Sequence, residues 1–140
     1  MVKVIIGRRG SGKTKMLVDM ANAATKISDG NVICIEKGNN LTFSIDSQAR
    51  LIDVEEYGIC GYDELYAFIA GIMARDYDVK EIFLDGIKKI GGDDVEKLAS
   101  FLDRINDLIV NNEVNLIFTV SYDEKEVPDS IKKFFINNKF

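Results

Sequence analysis

Along this chain, short continuous apolar runs alternate with segments in which apolar residues recur every three or four positions. Continuous runs bounded by turn residues fit strands buried on both faces, and the wider spacing fits amphipathic helices. The first run, Val2 to Ile6, leads into a glycine-rich turn and then into Met16, Leu17, Met20, Ala21, Ala24 and Ile27 at helical spacing, stopped by Asp29-Gly30-Asn31. Val32 to Ile35 reads as a second buried strand that ends at Glu36-Lys37-Gly38-Asn39-Asn40. Between residues 41 and 59 neither period holds; Leu51 to Val54 reads as a strand, and Phe43 to Ile45 as a short hairpin or an edge segment. From Tyr62 to Tyr77, Leu65, Phe68, Ile69, Ile72 and Met73 share one helical face. Lys80 to Asp85 is a buried strand ending in an acid. Gly91-Gly92-Asp93 marks a turn and a helix start, after which Val95, Leu98, Ala99, Leu102, Ile105, Leu108 and Ile109 keep helical spacing to Asn111-Asn112. Val114 to Val120 is a further strand, and Pro128 to Phe135 reads as a short helix with the proline in its first turn, leaving Lys139 and Phe140 to fray or pack.

This alternation predicts an α/β fold, a mostly parallel sheet with helices on both faces, in one domain spanning residues 1–140. In such sheets ligands bind beyond the carboxyl ends of the strands. Composition narrows the chemistry. There is no histidine, which excludes His-based acid-base catalysis, the serine-type triad and most zinc sites. Cys34 and Cys60 lack CxxC spacing, and Cys34, inside an apolar run, reads as a small core residue. A net charge of -5 with no long basic block gives no indication of nucleic-acid binding. No apolar stretch approaches the roughly 20 residues that span a bilayer, and no leader precedes Val2, so a cytoplasmic protein without membrane insertion is expected.

The turn after the first strand carries the strongest chemical signal. Gly7-Arg8-Arg9-Gly10-Ser11-Gly12-Lys13-Thr14 is GxxxxGK[ST], the Walker A or P-loop pattern, lying between a strand pattern and a helix pattern. Polyphosphate carries several negative charges, and a loop with its backbone N–H groups turned inward surrounds it with donors. Glycine suits the positions where backbone must approach the ligand, and the following helix adds its positive end. Lys13 would reach the outer phosphates and Thr14 would ligand Mg²⁺. The expected ligands are therefore a nucleoside triphosphate and Mg²⁺.

Ile82-Phe83-Leu84-Asp85 has the Walker B form, an apolar strand that delivers a carboxylate able to hold Mg²⁺ directly or through water. About seventy residues and at least one further strand separate it from the loop, so its strand is not expected to be the next in sequence. The chain thus resembles the additional-strand branch of P-loop NTPases, the RecA-like and related ATPases, and over nearly its whole length short stand-alone bacterial P-loop proteins often labelled twitching-motility ATPases. The resemblance rests on Gly7 to Thr14 and on Asp85, and implies a three-layer P-loop NTPase fold with Lys13 and Asp85 as catalytic residues. It also implies a strand lying between the two motif strands, ending in a polar residue that senses the terminal phosphate. Thr119 and Ser121 stand at that place, with an equal reading as strand-end polar residues facing water.

Many members of that branch place a glutamate directly after the Walker B acid, where this chain has Gly86. Others place it beyond the second strand; Glu36 lies near there, but is a poor match and also reads as a solvated strand end. Slow intrinsic hydrolysis is therefore expected, because losing the group that orients water lowers rate more than binding. GTP-reading motifs fail at Asp85-Gly86-Ile87-Lys88 and Ser121-Tyr122-Asp123, which favours ATP. Arg50, Arg75 and Arg104 give no legible kinase lid, and Arg75 and Arg104 read as solvent-facing. The functional expectation is an Mg-ATP-binding protein with slow ATPase activity, its site completed by self-association or by a protein partner. The alternatives are a nucleotide-dependent interaction switch without useful turnover and, ranked lower, a small kinase.

Overall fold

A computed structural model describes residues 1–136; the expectation for Lys139 and Phe140 lies outside the described residues. The chain runs β1 (Val2–Gly7), α1 (Lys13–Ile27), β2 (Asn31–Glu36), β3 (Arg50–Asp53), α2 (Tyr62–Arg75), β4 (Val79–Leu84), α3 (Ile87–Gly91), α4 (Val95–Asn111), β5 (Asn115–Ser121) and α5 (Asp129–Lys132). The strands form one five-stranded sheet in the order β1-β5-β4-β2-β3. All four pairings are parallel. Beyond β1, the backbone of Val4 exchanges hydrogen bonds with Phe134 and Ile136 at 2.8 and 3.0 Å, so the segment after α5 covers the edge of β1.

Side chains alternate across a strand, and this alternation divides the core in two. On one face α1 sets Leu17, Ala21 and Ala24 against Ile5, Val32, Cys34, Phe83 and Ile117. On the other, the larger core joins Leu65, Ile69, Leu98, Phe101, Leu102 and Ile105 from α2 and α4 to Val4, Ile35, Ile82, Leu84 and Phe118. The result is a three-layer α/β architecture with helices on both faces of a parallel sheet.

Several local expectations change in detail. Ile27, at the last position of α1, is 86% exposed, and Phe43 is fully exposed in a turn where a hairpin or edge segment was expected. Residues 54–57 form a 3₁₀ turn rather than an extension of β3. Asp94 caps α4 by accepting from the backbone N–H groups of Glu96 and Lys97, one residue beyond the glycine turn. The terminal helix is a single turn, Asp129–Lys132, and Phe135 pairs with Val4 instead of continuing it. The helix α3, framed by Gly86 and Gly92, was not anticipated.

The topology prepares one particular crevice. The chain leaving β1 crosses the sheet on the α1 face toward β2, while the chain leaving β5 turns the opposite way through α5, whose Ile131 packs on the other face. Neighbouring strands with connections diverging to opposite faces leave a cleft at their carboxyl ends. Here those ends are Gly7 and Ser121, which face each other in register.

Candidate functional site

A cleft of about 1080 Å³ opens there, lined by Arg8, Arg9, Gly10, Gly12, Lys13 and Thr14 from the glycine-rich loop, and by Asp85, Thr119 and Ser121 from the strand ends. Its volume is close to the upper limit, about 1,000 Å³, of small-molecule sites. The loop conformation follows from its glycines: Gly10 and Gly12 sit at φ of 83° and 91°, the left-handed region that side chains disfavour. Behind the lining, the backbone N–H of Ser11 donates to the Arg8 carbonyl at 3.1 Å, and a Cβ at Gly7 would collide with the Ser11 hydroxyl. Gly7 and Ser11 thus form the back of the turn rather than its lining.

Gly12 caps α1 and, among the described residues, no side chain accepts from the first-turn N–H groups and no acid occupies that turn. Unlike α4, which Asp94 caps, α1 leaves first-turn N–H groups without a side-chain acceptor, and such groups at a helix start are able to hold an anion. Lys13 lies just inside this helix, buried at 7% exposure, and donates through Nζ to the Arg8 carbonyl at 2.7 Å and to the Ser11 hydroxyl at 3.4 Å. Burial lowers its pKa, an effect partly offset by the charge of Asp85.

Asp85 and Thr14 are 71 positions apart in sequence, yet the Thr14 hydroxyl stands 3.1 Å from each Asp85 carboxylate oxygen. Asp85 leaves the end of β4 on the α1 face, and its N–H is anchored to the Ile35 carbonyl of β2 at 3.0 Å. Hard oxygen donors at this spacing fit Mg²⁺: ligands about 2.1 Å from an octahedral ion lie about 3 Å apart when adjacent. Among the described residues no three His, Cys, Asp or Glu side chains converge into an all-protein metal cage. One carboxylate and one hydroxyl suit an ion that takes its remaining ligands from phosphates and water.

The polar residues ending β5 separate. The Thr119 hydroxyl is buried, 2.8 Å from Asp85 Oδ1 and 2.7 Å from the Gly86 N–H. Ser121 is exposed in the cleft, and its carbonyl accepts from Lys88 Nζ at 2.9 Å. Glu36 corrects the expectation of a solvated strand end: it is 2% exposed, and its two oxygens accept from the backbone N–H groups of Asn40 and Leu41 at 3.0 and 2.9 Å. Both oxygens are occupied in folding the loop after β2. Arg104 is solvent-facing but not idle, since it pairs with Asp63 at 3.1 Å over the ring of Tyr66.

The cleft also contains residues that the sequence did not single out. Lys15, Lys88, Lys89, Tyr122, Asp123 and Glu126 join the lining. With Arg8, Arg9, Lys13 and Asp85 they make six cations against three acids, in a chain whose net charge is -5. Local potential, not net charge, governs attraction of an anion into a cleft. Lys88 is held by Ser121, by the Tyr122 ring at 4.0 Å and by Asp93 at 3.5 Å. Arg8 donates to Asp123 at 2.7 Å, tying the glycine-rich loop to the segment after β5. The only sequence signal for Lys88 and Lys89 was their closeness to Asp85; Tyr122 and Asp123 arrive through the pairing of β5 with β1.

No helix among the described residues is long and apolar enough to cross a membrane. No protein-family model matches this chain, and no curated protein matches it.

Proposed function

We propose that this chain binds Mg-ATP at the cleft between β1 and β5 and hydrolyses it slowly, as a P-loop NTPase of the additional-strand, RecA-like branch. The observation that carries the reading is the meeting of Thr14 with Asp85 at 3.1 Å, at the foot of a GxxxxGK[ST] loop set between a strand and an uncapped helix. Supporting it, β5 lies between β1 and β4, the strands that carry the two motifs. In this reading the loop N–H groups and Lys13 hold the phosphates, and Thr14 and Asp85 hold Mg²⁺. The bound ion would neutralise phosphate charge and orient the terminal group. Ser121 faces the same cleft as a polar contact for the phosphates.

Slow turnover follows from the carboxylates. Gly86 occupies the position after Asp85, and Glu36 is engaged by Asn40 and Leu41. A second copy or a protein partner would supply what positions water. The same observations favour, as a second reading, a switch that changes its surface with bound ATP without useful turnover. A small kinase ranks lower, since Arg8 and Arg9 are the only arginines lining the cleft among the described residues.

The test is ATP binding and phosphate release for wild type and Lys13→Ala at several protein concentrations. Wild type is expected to bind Mg-ATP and Lys13→Ala to bind at least about tenfold more weakly, the loss of roughly 1.4 kcal/mol of charge-assisted bonding. Specific activity that rises with protein concentration supports a site completed between copies, and binding without turnover supports the switch. Wild type that does not bind ATP, or Lys13→Ala that binds as well, refutes the proposal.

A further inference from the structure

Resting on the Mg-ATP reading above, we infer that Thr119 is a positioning residue for the Mg²⁺ site, acting through Asp85, and is not a sensor of the terminal phosphate. A hydroxyl has a single proton to donate and two lone pairs to accept with. The backbone N–H of Gly86 can only donate, and it lies 2.7 Å from Thr119 Oγ1, so it takes up a lone pair there. The Thr119 proton is thereby directed to Asp85 Oδ1 at 2.8 Å. A phosphate oxygen needs a donor, and this hydroxyl has none left to offer. Thr119 stands at the wall of the cleft, but at 2% exposure it presents almost no surface there, whereas Ser121 is exposed.

The consequence falls on the carboxylate. Asp85 Oδ1 is held from the sheet side by Thr119, while Oδ2 accepts, among the described residues, only from Thr14. A carboxylate free to rotate about its last torsion would present either oxygen, or neither, to an ion beside Thr14. Pinning Oδ1 fixes the orientation of Oδ2. The same N–H to hydroxyl to carboxylate chain joins the turn at Gly86 to β5, so the carboxylate is oriented by two elements. Partners of this kind around a metal ligand change metal affinity by 10- to 100-fold when removed.

The experiment measures ATP affinity calorimetrically with Mg²⁺ and with EDTA, for wild type, Thr119→Val and Thr119→Ser. The readout is the factor by which Mg²⁺ strengthens ATP binding. Thr119→Val, nearly the same shape without the hydroxyl, is expected to lose about tenfold or more of that factor, with ATP affinity in EDTA unchanged within twofold. Thr119→Ser is expected to restore it. A purely structural role would weaken binding equally with and without Mg²⁺, and that result overturns the inference, as does a wild-type Mg²⁺ factor in Thr119→Val. If the valine variant does not fold, Thr119→Ala takes its place and is read against Thr119→Ser by the same criterion. Failure of wild type to bind ATP under either condition refutes the Mg-ATP reading itself, whereas ATP binding with an unaltered Mg²⁺ factor in the variants refutes only the role of Thr119.

Discussion

Replacing Glu36 with alanine separates a structural carboxylate from a catalytic one. Glu36 is 2% exposed and accepts from the N–H groups of Asn40 and Leu41 at 3.0 and 2.9 Å. Alanine removes both acceptors. The Leu41 N–H is buried and would stay unpaired, at about 1–3 kcal/mol, while the more exposed Asn40 N–H can recover part of its loss from water. The expected destabilisation is about 2–4 kcal/mol, a large part of the roughly 5–15 kcal/mol that holds a domain together. At about 3 °C per kcal/mol for a chain of this size, Tm should fall by roughly 6–12 °C. Glu36→Gln keeps one acceptor oxygen and turns an amide donor toward the other N–H, so it should lie between alanine and wild type. Urea unfolding followed by far-UV circular dichroism measures this, as the chain has no tryptophan to report by fluorescence. Phosphate release from Mg-ATP, at a temperature where both proteins are folded, should stay within twofold of wild type. A Glu36→Ala protein within about 0.5 kcal/mol of wild type, the margin of an ordinary surface change, would refute the structural reading; if its turnover were also abolished, Glu36 would be the water-orienting group.

Four other perturbations test neighbouring parts of the structure. Burial, aided by the charges of Glu36 and Asp85, pushes the Cys34 thiol up to about 12 while Cys60 is exposed, so a thiol reagent at pH 8 should modify only Cys60 in the native protein and both after unfolding. Rapid native modification of both would contradict this. Because folding favours the neutral Cys34 thiol, its contribution to stability is full below 9.0 and is lost as pH rises toward about 12; Cys34→Ser should flatten the alkaline fall in urea midpoint. Asp123 titrates below its ordinary 3.8 because of the Lys125 N–H and the Arg8 guanidinium, so its contribution is present above 3.8 and is lost as pH falls through the lowered value. Asp123→Asn should therefore lose less stability than wild type between pH 5 and pH 2, and an equal loss would count against the pairing. Gly86→Glu places the missing carboxylate next to Asp85, but at a φ of 73° and with its Cβ 3.3 Å from Lys89, so it should destabilise by about 1–2 kcal/mol without raising ATP hydrolysis; a stable variant with faster turnover would show that this backbone accommodates a glutamate.

Most of the secondary structure was legible because its signal is local. The spacing of Leu65, Ile69 and Met73, or the run Ile82-Phe83-Leu84, follows from the 3.6-residue and 2-residue periods, and neither needs a distant partner to be read. The glycine-rich loop was legible for the same reason, since its torsions and its placement between a strand and a helix lie within one short stretch. Where an element is only a turn or so long, as in α3, glycines at both ends hide a period that Ile87 and Ile90 are too few to establish. Phe134 and Phe135 read as the end of a helix because apolar residues there carry no mark of strand pairing until β1 is beside them.

The amino-acid sequence by itself determined the alternation of strands and helices, the GxxxxGK[ST] loop and the acid ending β4. Only the tertiary structure decided what each polar strand end does. Thr119 and Ser121, two positions apart, point to the same face of β5 and could not be told apart by pattern. One is buried within reach of Asp85 and Gly86, and the other is exposed in the cleft. Glu36 has the form of a solvated strand end until the loop after β2 folds back over it. The physical reason is range: backbone periodicity is fixed by neighbours along the chain, whereas a hydroxyl or carboxylate takes its role from the groups that parallel pairing brings to it from far away in sequence.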